Sequence, residues 1–228
     1  MNKIFNSVDL IPEIQWVIAI ILMILVFATI LFWIWNKISP SKLVDEMQIR
    51  TRSWWVMCFI FLFASLINPV VTYIALGFLS FFTLREIYSL LNLREMDRSV
   101  LFFCYICIPI QYYLAFKGYY TLFLIFIPVF MFIIIPFLLV LTGETKDIIR
   151  SMCILPTSLM LGVFGISHLA LLISFPEMNT NGVSGKALLL FLIFITEAND
   201  IMQFVWGKIF GKTKILPNVS PNKTWEGF

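Results

Sequence analysis

Residues 54–84 read WWVMCFIFLFASLINPVVTYIALGFLSFFTL, a run with no charged side chain. Whether it forms one long kinked helix or two helices folded at Asn68-Pro69 decides the fold. Asn-Pro favours a turn, yet the halves, Trp54 to Ile67 and Val70 to Leu84, are each shorter than the ~20 residues that cross a bilayer. The basic residues arbitrate, because Lys and Arg gather in the cytoplasmic loops of membrane proteins. With a fold at Asn68-Pro69, thirteen of the 16 Lys and Arg fall on one side: Lys37, Lys42, Arg50, Arg52, Arg85, Arg94, Arg98, Lys146, Arg150, Lys208, Lys212, Lys214 and Lys223. Only Lys3, Lys117 and Lys186 fall on the other, and without the fold the division is ten to six. The hairpin is therefore the better reading. It gives seven spans, the second and third short or re-entrant, with the N-terminus outside and the closing polar tail in the cytosol.

The rest of the chain has the same character. Of its 228 residues, 61% are hydrophobic and 13% charged, and the mean hydropathy is +0.95; this excludes an ordinary soluble domain. Ile14 to Trp35, IQWVIAIILMILVFATILFWIW, carries no charge. It is too long for a signal-peptide apolar region and is followed by no small-residue cleavage pattern, so it reads as a retained span. The fold class is all-α, a polytopic integral membrane protein. A single membrane domain, 1–228, is expected, with spans at about 14–35, 54–67, 70–84, 99–116, 119–141, 151–175 and 187–206 and a polar tail at 207–228. The four cysteines lie in or beside apolar runs, and Cys104 and Cys107 form C-x-x-C without His or further Cys nearby. They read as two buried thiols in a span, not as a redox or zinc motif.

Ionisable groups inside spans are costly and are the first functional candidates. His168, in GVFGISHLALL, reads as a neutral imidazole bonded to a neighbouring helix. Glu197, Asn199 and Asp200, in TEAND, are different in kind. Helix C-termini favour cations, so two acids there are misplaced unless the helix continues. The following residues stay apolar to Phe210, so continuation is expected, with Asp200 inside the helix and Glu197 one turn earlier. The bland reading is that these acids snorkel to the interface or pair with lysines of the tail.

That tail, residues 207–228, is GKIFGKTKILPNVSPNKTWEGF. Its GKT suggests a P-loop, but that motif needs G-x-x-x-x-G-K-[ST] after a strand. Here the spacing is one residue short and a membrane helix precedes it. Gly207 and Gly211 form a G-x-x-x-G that can pack helices closely. Three ammonium groups, Lys212, Lys214 and Lys223, with the hydroxyls of Ser220 and Thr224, suit the phosphates of a nucleotide or a lipid head group. Glu226 and Asp200 could hold a divalent cation bridging those phosphates. Against this stands a plain basic patch touching anionic lipid. A cytosolic tail makes the acceptor triplets at Asn218 and Asn222 accidental.

TEANDIMQFVWGKIFGKTKILPNVSPNKTWEGF resembles the core of the phosphatidate cytidylyltransferases. Those proteins carry an Asp in D-x-x-A-Y, then G-[KR]-x-[FL]-G-K, then [IV]-S-P-x-K-T-x-E-G. The resemblance takes in Asp200, Gly207, Lys208, Phe210, Gly211, Lys212, Pro217, Ser220, Pro221, Lys223, Thr224, Glu226 and Gly227. It departs where Met202, Gln203 and Phe204 replace Gly-Ala-Tyr. The family's later G-D-x-x-E-S-x-x-K-R, K-D and H-G-G-x-x-D-R elements are not in the 228 residues, and the expectation is a fragment without activity by itself. The resemblance implies transfer of CMP from CTP to phosphatidic acid, giving CDP-diacylglycerol and pyrophosphate. It implies Asp200 and Lys223 as catalytic, Lys212, Ser220 and Thr224 as substrate-binding, and Asp200 and Glu226 as magnesium ligands, with potassium as a second helper. The partners would be CTP, phosphatidic acid and membrane lipids, with no nucleic acid, in a bacterial inner (plasma) membrane; the glycine pair leaves room for a homodimer. Two other readings stay open: a CTP-dependent polyprenol kinase-like enzyme, and a non-catalytic membrane protein whose basic tail binds lipid.

Overall fold

The computed structural model describes residues 12–91, 93–174, 185–218 and 220–228. Lys3, Phe175 at the close of the sixth expected span, and Val219 in one acceptor triplet lie outside the described residues. Helix α1 is Pro12–Ile38, α2 Lys42–Ile67, α3 Pro69–Leu90 and α4 Asp97–Lys117. Helices α5 (Tyr120–Ile125) and α6 (Phe132–Leu141) are joined through a π-helical stretch, Phe126–Met131, into one rod. Helices α7 (Ile148–Leu159) and α8 (Ile166–Ser174) are joined likewise through Met160–Gly165, and α9 is Gly185–Phe210. Pro128, inside the first π stretch, has no N–H to close an ordinary helical bond, a known cause of such local widening.

The chain breaks where the hairpin reading requires. Asn68 is extended (φ −160°, ψ 142°) and ends α2. Its side-chain Oδ1 then accepts the Val70 N–H at 2.9 Å, with Pro69 opening α3. An Asn cap followed by Pro in the first turn satisfies one orphan donor and removes another. Both helices run further than the apolar halves alone: α2 is 26 residues and α3 is 22. The segments 54–67 and 70–84 are thus the apolar parts of longer helices and not short helices in themselves. The reason is visible in α2, whose first turns are polar and are capped by Ser41 Oγ accepting from Val44 N–H at 3.4 Å. Among the described residues, six stretches are long and apolar enough to cross a membrane: Ile18–Ile38, Val70–Leu90, Asp97–Lys117, Tyr120–Leu141, Ile148–Ile173 and Gly185–Phe210.

Contacts between helices fix their directions. Trp55 Nε1 donates to Thr29 Oγ1 at 3.0 Å and Asn36 Nδ2 to Gln48 Oε1 at 3.4 Å, so α1 and α2 are antiparallel. The Ser80 and Tyr112 hydroxyls are 2.8 Å apart and the Tyr88 and Tyr105 rings 5.9 Å apart, so α3 and α4 are antiparallel too. The core is built from α3, α4 and the two composite rods, with Leu84, Cys104, Phe123, Ile127, Ile135, Leu139, Leu155, Leu159 and Val163 fully enclosed. By contrast α1 is largely uncovered, an apolar surface suited to lipid.

The loops at one end are locked together. Arg94, between α3 and α4, pairs with Asp97 at 2.7 Å and donates to the Glu144 and Lys146 carbonyls at 3.0 and 2.8 Å. Ser151 Oγ donates to Asp97 Oδ2 at 2.6 Å. This is a buried ion pair whose remaining hydrogen-bonding capacity is also used, the condition under which such a pair is tolerated.

Two other polar candidates are structural. His168 Nδ1 lies 2.7 Å from the Phe164 carbonyl, so it carries the proton and donates; its partner is a turn earlier on its own chain segment, not on a neighbouring helix. The ring sits edge-on to Phe164 and Phe123 at 4.5 and 5.0 Å. Cys104 and Cys107 are buried, unpaired thiols, and Cys107 Sγ donates to the Phe103 carbonyl at 3.2 Å.

Candidate active site

Helix α9 passes through TEAND without a break and ends at Phe210. Beyond it the tail folds back. Strand β1 (Lys214–Leu216) pairs antiparallel with β2 (Ser220–Thr224), Lys214 opposite Thr224 and Leu216 opposite Ser220. A short 3₁₀ turn, Trp225–Gly227, follows and lies against the last turns of α9. Two glycines, Gly227 and Gly211, allow this approach. A methyl group on Gly227 would come within 2.6 Å of Gly207 Cα and 2.8 Å of the Gln203 carbonyl oxygen. One on Gly211 would fall 2.7 Å from Thr224 Oγ1. Gly207 and Gly211 are therefore packed by the chain's own tail, which is the use the structure gives to the G-x-x-x-G spacing.

Glu226 closes the fold. Its carboxylate accepts the backbone N–H of Lys212 at 3.0 Å and that of Thr213 at 3.1 Å. These bonds hold its pKa down at about 2, the amide of Lys212 being the largest cause. The amides that a P-loop would offer to phosphate are thus already taken by a side chain.

Between this hairpin and the helices lies a cavity of ≈ 280 Å³. Asp200, Ser220, Lys223 and Thr224 all line it. Among the described residues the Asp200 carboxylate and the Lys223 ammonium have no ion-pair partner, and Thr224 Oγ1 is buried without a hydrogen-bond partner. The acids of TEAND therefore do not neutralise the tail lysines. The opposite wall comes from α2, a contribution absent from the sequence reading. Arg50 stacks its guanidinium 4.0 Å from the centre of the Phe204 ring. Glu46 pairs with Arg50 at 3.4 Å and with Lys208 at 3.5 Å. Glu46 with Lys208 and Arg50 with Phe204 also show that α2 and α9 are antiparallel, bringing the polar start of one to the polar end of the other.

Asp200 on a helix and two hydroxyls and an ammonium on a hairpin thus line one cavity. The cytidylyltransferase family pattern matches residues 48–228. The chain belongs to that family. The uncharacterized protein YnbB of Escherichia coli is 35% identical over 214 residues, 92% of this chain and 68% of that protein. The phosphatidate cytidylyltransferase of Chlamydia trachomatis is 51% identical over 39 residues, 17% of this chain and 13% of its own length. Phosphatidate cytidylyltransferase 2 of Rattus norvegicus is 36% identical over 69 residues, 29% of this chain and 15% of its own. The chain thus spans about two thirds of YnbB, and its matches cover a much smaller share of the two phosphatidate cytidylyltransferases. No solved structure matches.

Within this cytidylyltransferase family member, the six residues singled out in the sequence divide into two groups. Asp200, Ser220, Lys223 and Thr224 share the cavity, whereas Lys212 and Glu226 are outside its lining. Glu226, expected beside Asp200 on a cation, has its oxygens on backbone amides instead. Among the described residues no three His, Cys, Asp or Glu side chains are grouped to hold a metal. Of the bulky replacements, Gln203 and Phe204 line the cavity, and Met202 is mostly exposed. The cavity residues that sequence reasoning missed are Glu46 and Arg50, while Lys208 was named there only as part of the resemblance and given no role. Their signal was present, because Glu46 and Arg50 are four apart at a polar helix start, an ordinary spacing for a helical ion pair. What the sequence lacked was any mark that this pair faces the tail.

Proposed function

We propose that this chain carries the CTP- and lipid-phosphate-binding end of a phosphatidate cytidylyltransferase, transferring CMP from CTP to phosphatidic acid. The observation that supports it most is the convergence of Asp200, Ser220, Lys223 and Thr224 on one cavity at the polar end of the helices. In the reaction an oxygen of the lipid phosphate attacks the α-phosphorus of CTP in line. The bond from that phosphorus to the oxygen bridging to the β-phosphate breaks, and pyrophosphate leaves with the electron pair.

Both reactants are polyanions, so the chief task of the site is to hold them together against their repulsion. The Lys223 ammonium neutralises phosphate charge, and the Ser220 and Thr224 hydroxyls donate to phosphate oxygens. Lys212, outside the lining, adds only to the positive potential at the tail. A bare Asp200 carboxylate would repel phosphate, so its place among phosphate-binding groups fits a hard divalent cation, which is commonly held by one or two carboxylates together with substrate oxygens. Asp200 would hold magnesium, which when bound neutralises the charge that develops on the phosphates. Potassium belongs to the same proposal without an assigned residue. The basic loop ends and tail would face the cytosol of a bacterial cell, as the charge rule favours.

The test is formation of radiolabelled CDP-diacylglycerol and pyrophosphate from CTP and phosphatidic acid by the chain extended with the family's later G-D-x-x-E-S-x-x-K-R, K-D and H-G-G-x-x-D-R elements, and by Asp200→Ala and Lys223→Ala in that extended form. Turnover by the extended parent, abolished in both variants, is the expected result. Equal turnover in all three would remove the site. Transfer of a phosphate to a lipid alcohol without release of pyrophosphate would replace the reaction with that of a polyprenol kinase.

A further inference from the structure

One wall of the cavity is left without a task by the residues named so far. It consists of Arg50 and Lys208, which flank the same aromatic ring, with the Arg50 guanidinium 4.0 Å and the Lys208 ammonium 5.4 Å from the centre of Phe204. The two cations come from different helices, and the carboxylate of Glu46 bridges them with one oxygen to each, Oε1 to Arg50 at 3.4 Å and Oε2 to Lys208 at 3.5 Å. All four residues line the cavity. A carboxylate spanning two cations in this manner occupies the position that two oxygens of a phosphate monoester would take. The surplus is also right for an anion: two cations share one negative charge.

Depth in the membrane decides which anion. Arg50 is followed on α2 by Trp54 and Trp55 and then by the apolar run to Ile67. A tryptophan pair between a basic and an apolar stretch marks the interface, where lipid phosphates lie. The hairpin wall, with Lys223, Ser220 and Thr224, belongs to the tail beyond the last helix and faces the aqueous side, from which a soluble nucleotide arrives. The two walls thus carry separate sets of phosphate donors, one beside the tryptophan pair of α2 and one on the tail hairpin.

We propose, resting on the cytidylyltransfer reading above, that Arg50 and Lys208 form the subsite for the phosphate monoester of the lipid substrate, and that Glu46 is an internal stand-in for that phosphate, displaced when the lipid binds. Glu46 keeps the two cations apart and oriented in the empty site, and by competing with the incoming phosphate it lowers affinity for anions that cannot displace it. Diesters with a single negative charge, such as phosphatidylglycerol, are of that kind. Phe204 holds both cations against one face of the cavity.

The experiment measures equilibrium binding of phosphatidic acid in phosphatidylcholine nanodiscs and, separately, of CTP, to the full chain and to Arg50→Gln, Lys208→Gln and Glu46→Gln. Removing one charged hydrogen-bonding partner costs about tenfold in affinity or more, so each cation variant weakens phosphatidic acid binding by about tenfold and leaves CTP binding within about twofold. Glu46→Gln strengthens phosphatidic acid binding by roughly threefold and narrows the preference over phosphatidylglycerol, a gain that misfolding cannot imitate. Unchanged phosphatidic acid binding in both cation variants, weaker binding in Glu46→Gln, or a loss confined to CTP would overturn the subsite. If the parent chain binds phosphatidic acid as described but forms no CDP-lipid even when extended by the family's later elements, the reaction is wrong and the subsite stands. If it forms CDP-lipid with an unaltered KM for lipid in Arg50→Gln, the reverse holds.

Discussion

The carboxylate of Glu226 is held against the backbone amide of Lys212, fourteen residues earlier, at 3.0 Å. This contact ties the end of the hairpin to the end of α9 and decides how the tail is presented to the cavity. Because the hydrogen bonds favour the charged form, the folded pKa is depressed from 4.5 to about 2. The resulting contribution to tail docking is fully present above pH 4.5 and is lost as the pH falls through about 2. Glu226→Ala removes it at every pH. The variant should show several-fold faster tryptic cleavage after Lys212 and Lys214 at neutral pH, with the helices still intact; unchanged cleavage would mean that the contact does not hold the tail.

Gly227→Ala should have the same outcome by a different cause. The added methyl meets backbone atoms of Gly207 and Gln203 and not a flexible side chain, and overpacking of this sort costs about 1–3 kcal/mol. We expect CTP binding to weaken by at least about tenfold while the far-UV circular dichroism stays helical. Retention of full CTP affinity would show that the tail docks otherwise.

Asp200→Asn preserves the shape of the cavity and removes a charge. If Asp200 serves to hold a divalent cation, turnover should fall on the order of 10²-fold. Magnesium should also protect the parent, but not the variant, against thermal unfolding. Equal protection of both would place the cation elsewhere.

Asp97→Ala leaves Arg94 without its partner and frees Ser151. Breaking a buried pair in this way costs about 3–5 kcal/mol, so a clear drop in the melting temperature in detergent is expected. The site lies on α2, α9 and the tail, so CTP affinity at low temperature should be little changed. A melting temperature equal to that of the parent would show that the clasp is not stabilising.

The hairpin at Asn68-Pro69 was legible because two independent local signals, turn chemistry and the distribution of basic residues, agreed on it. Continuation of α9 through TEAND was legible because the apolar pattern resumes after Asp200. The lengths of α2 and α3 were not, since hydropathy marks where a helix is buried in lipid and not where its polar turns begin. Nor was the use of Gly207 and Gly211, because the same spacing serves any close partner, and only the folded tail shows that the partner is Gly227 of the same chain.

By itself the sequence determined that this is a helical membrane protein and that the chain turns at Asn68, and it marked Asp200 and the SPNKTWEG segment as the candidates for its chemistry. These follow from local composition and from spacing along one helix or one short loop, which neighbouring residues alone decide. The tertiary structure decided that Glu226 serves the tail fold, and that Glu46 and Arg50, some 150 residues away in the chain from Asp200, complete the cavity. Those facts depend on which faces of α2 and α9 meet, and that is set by the packing of the intervening helices, which no short stretch of sequence encodes.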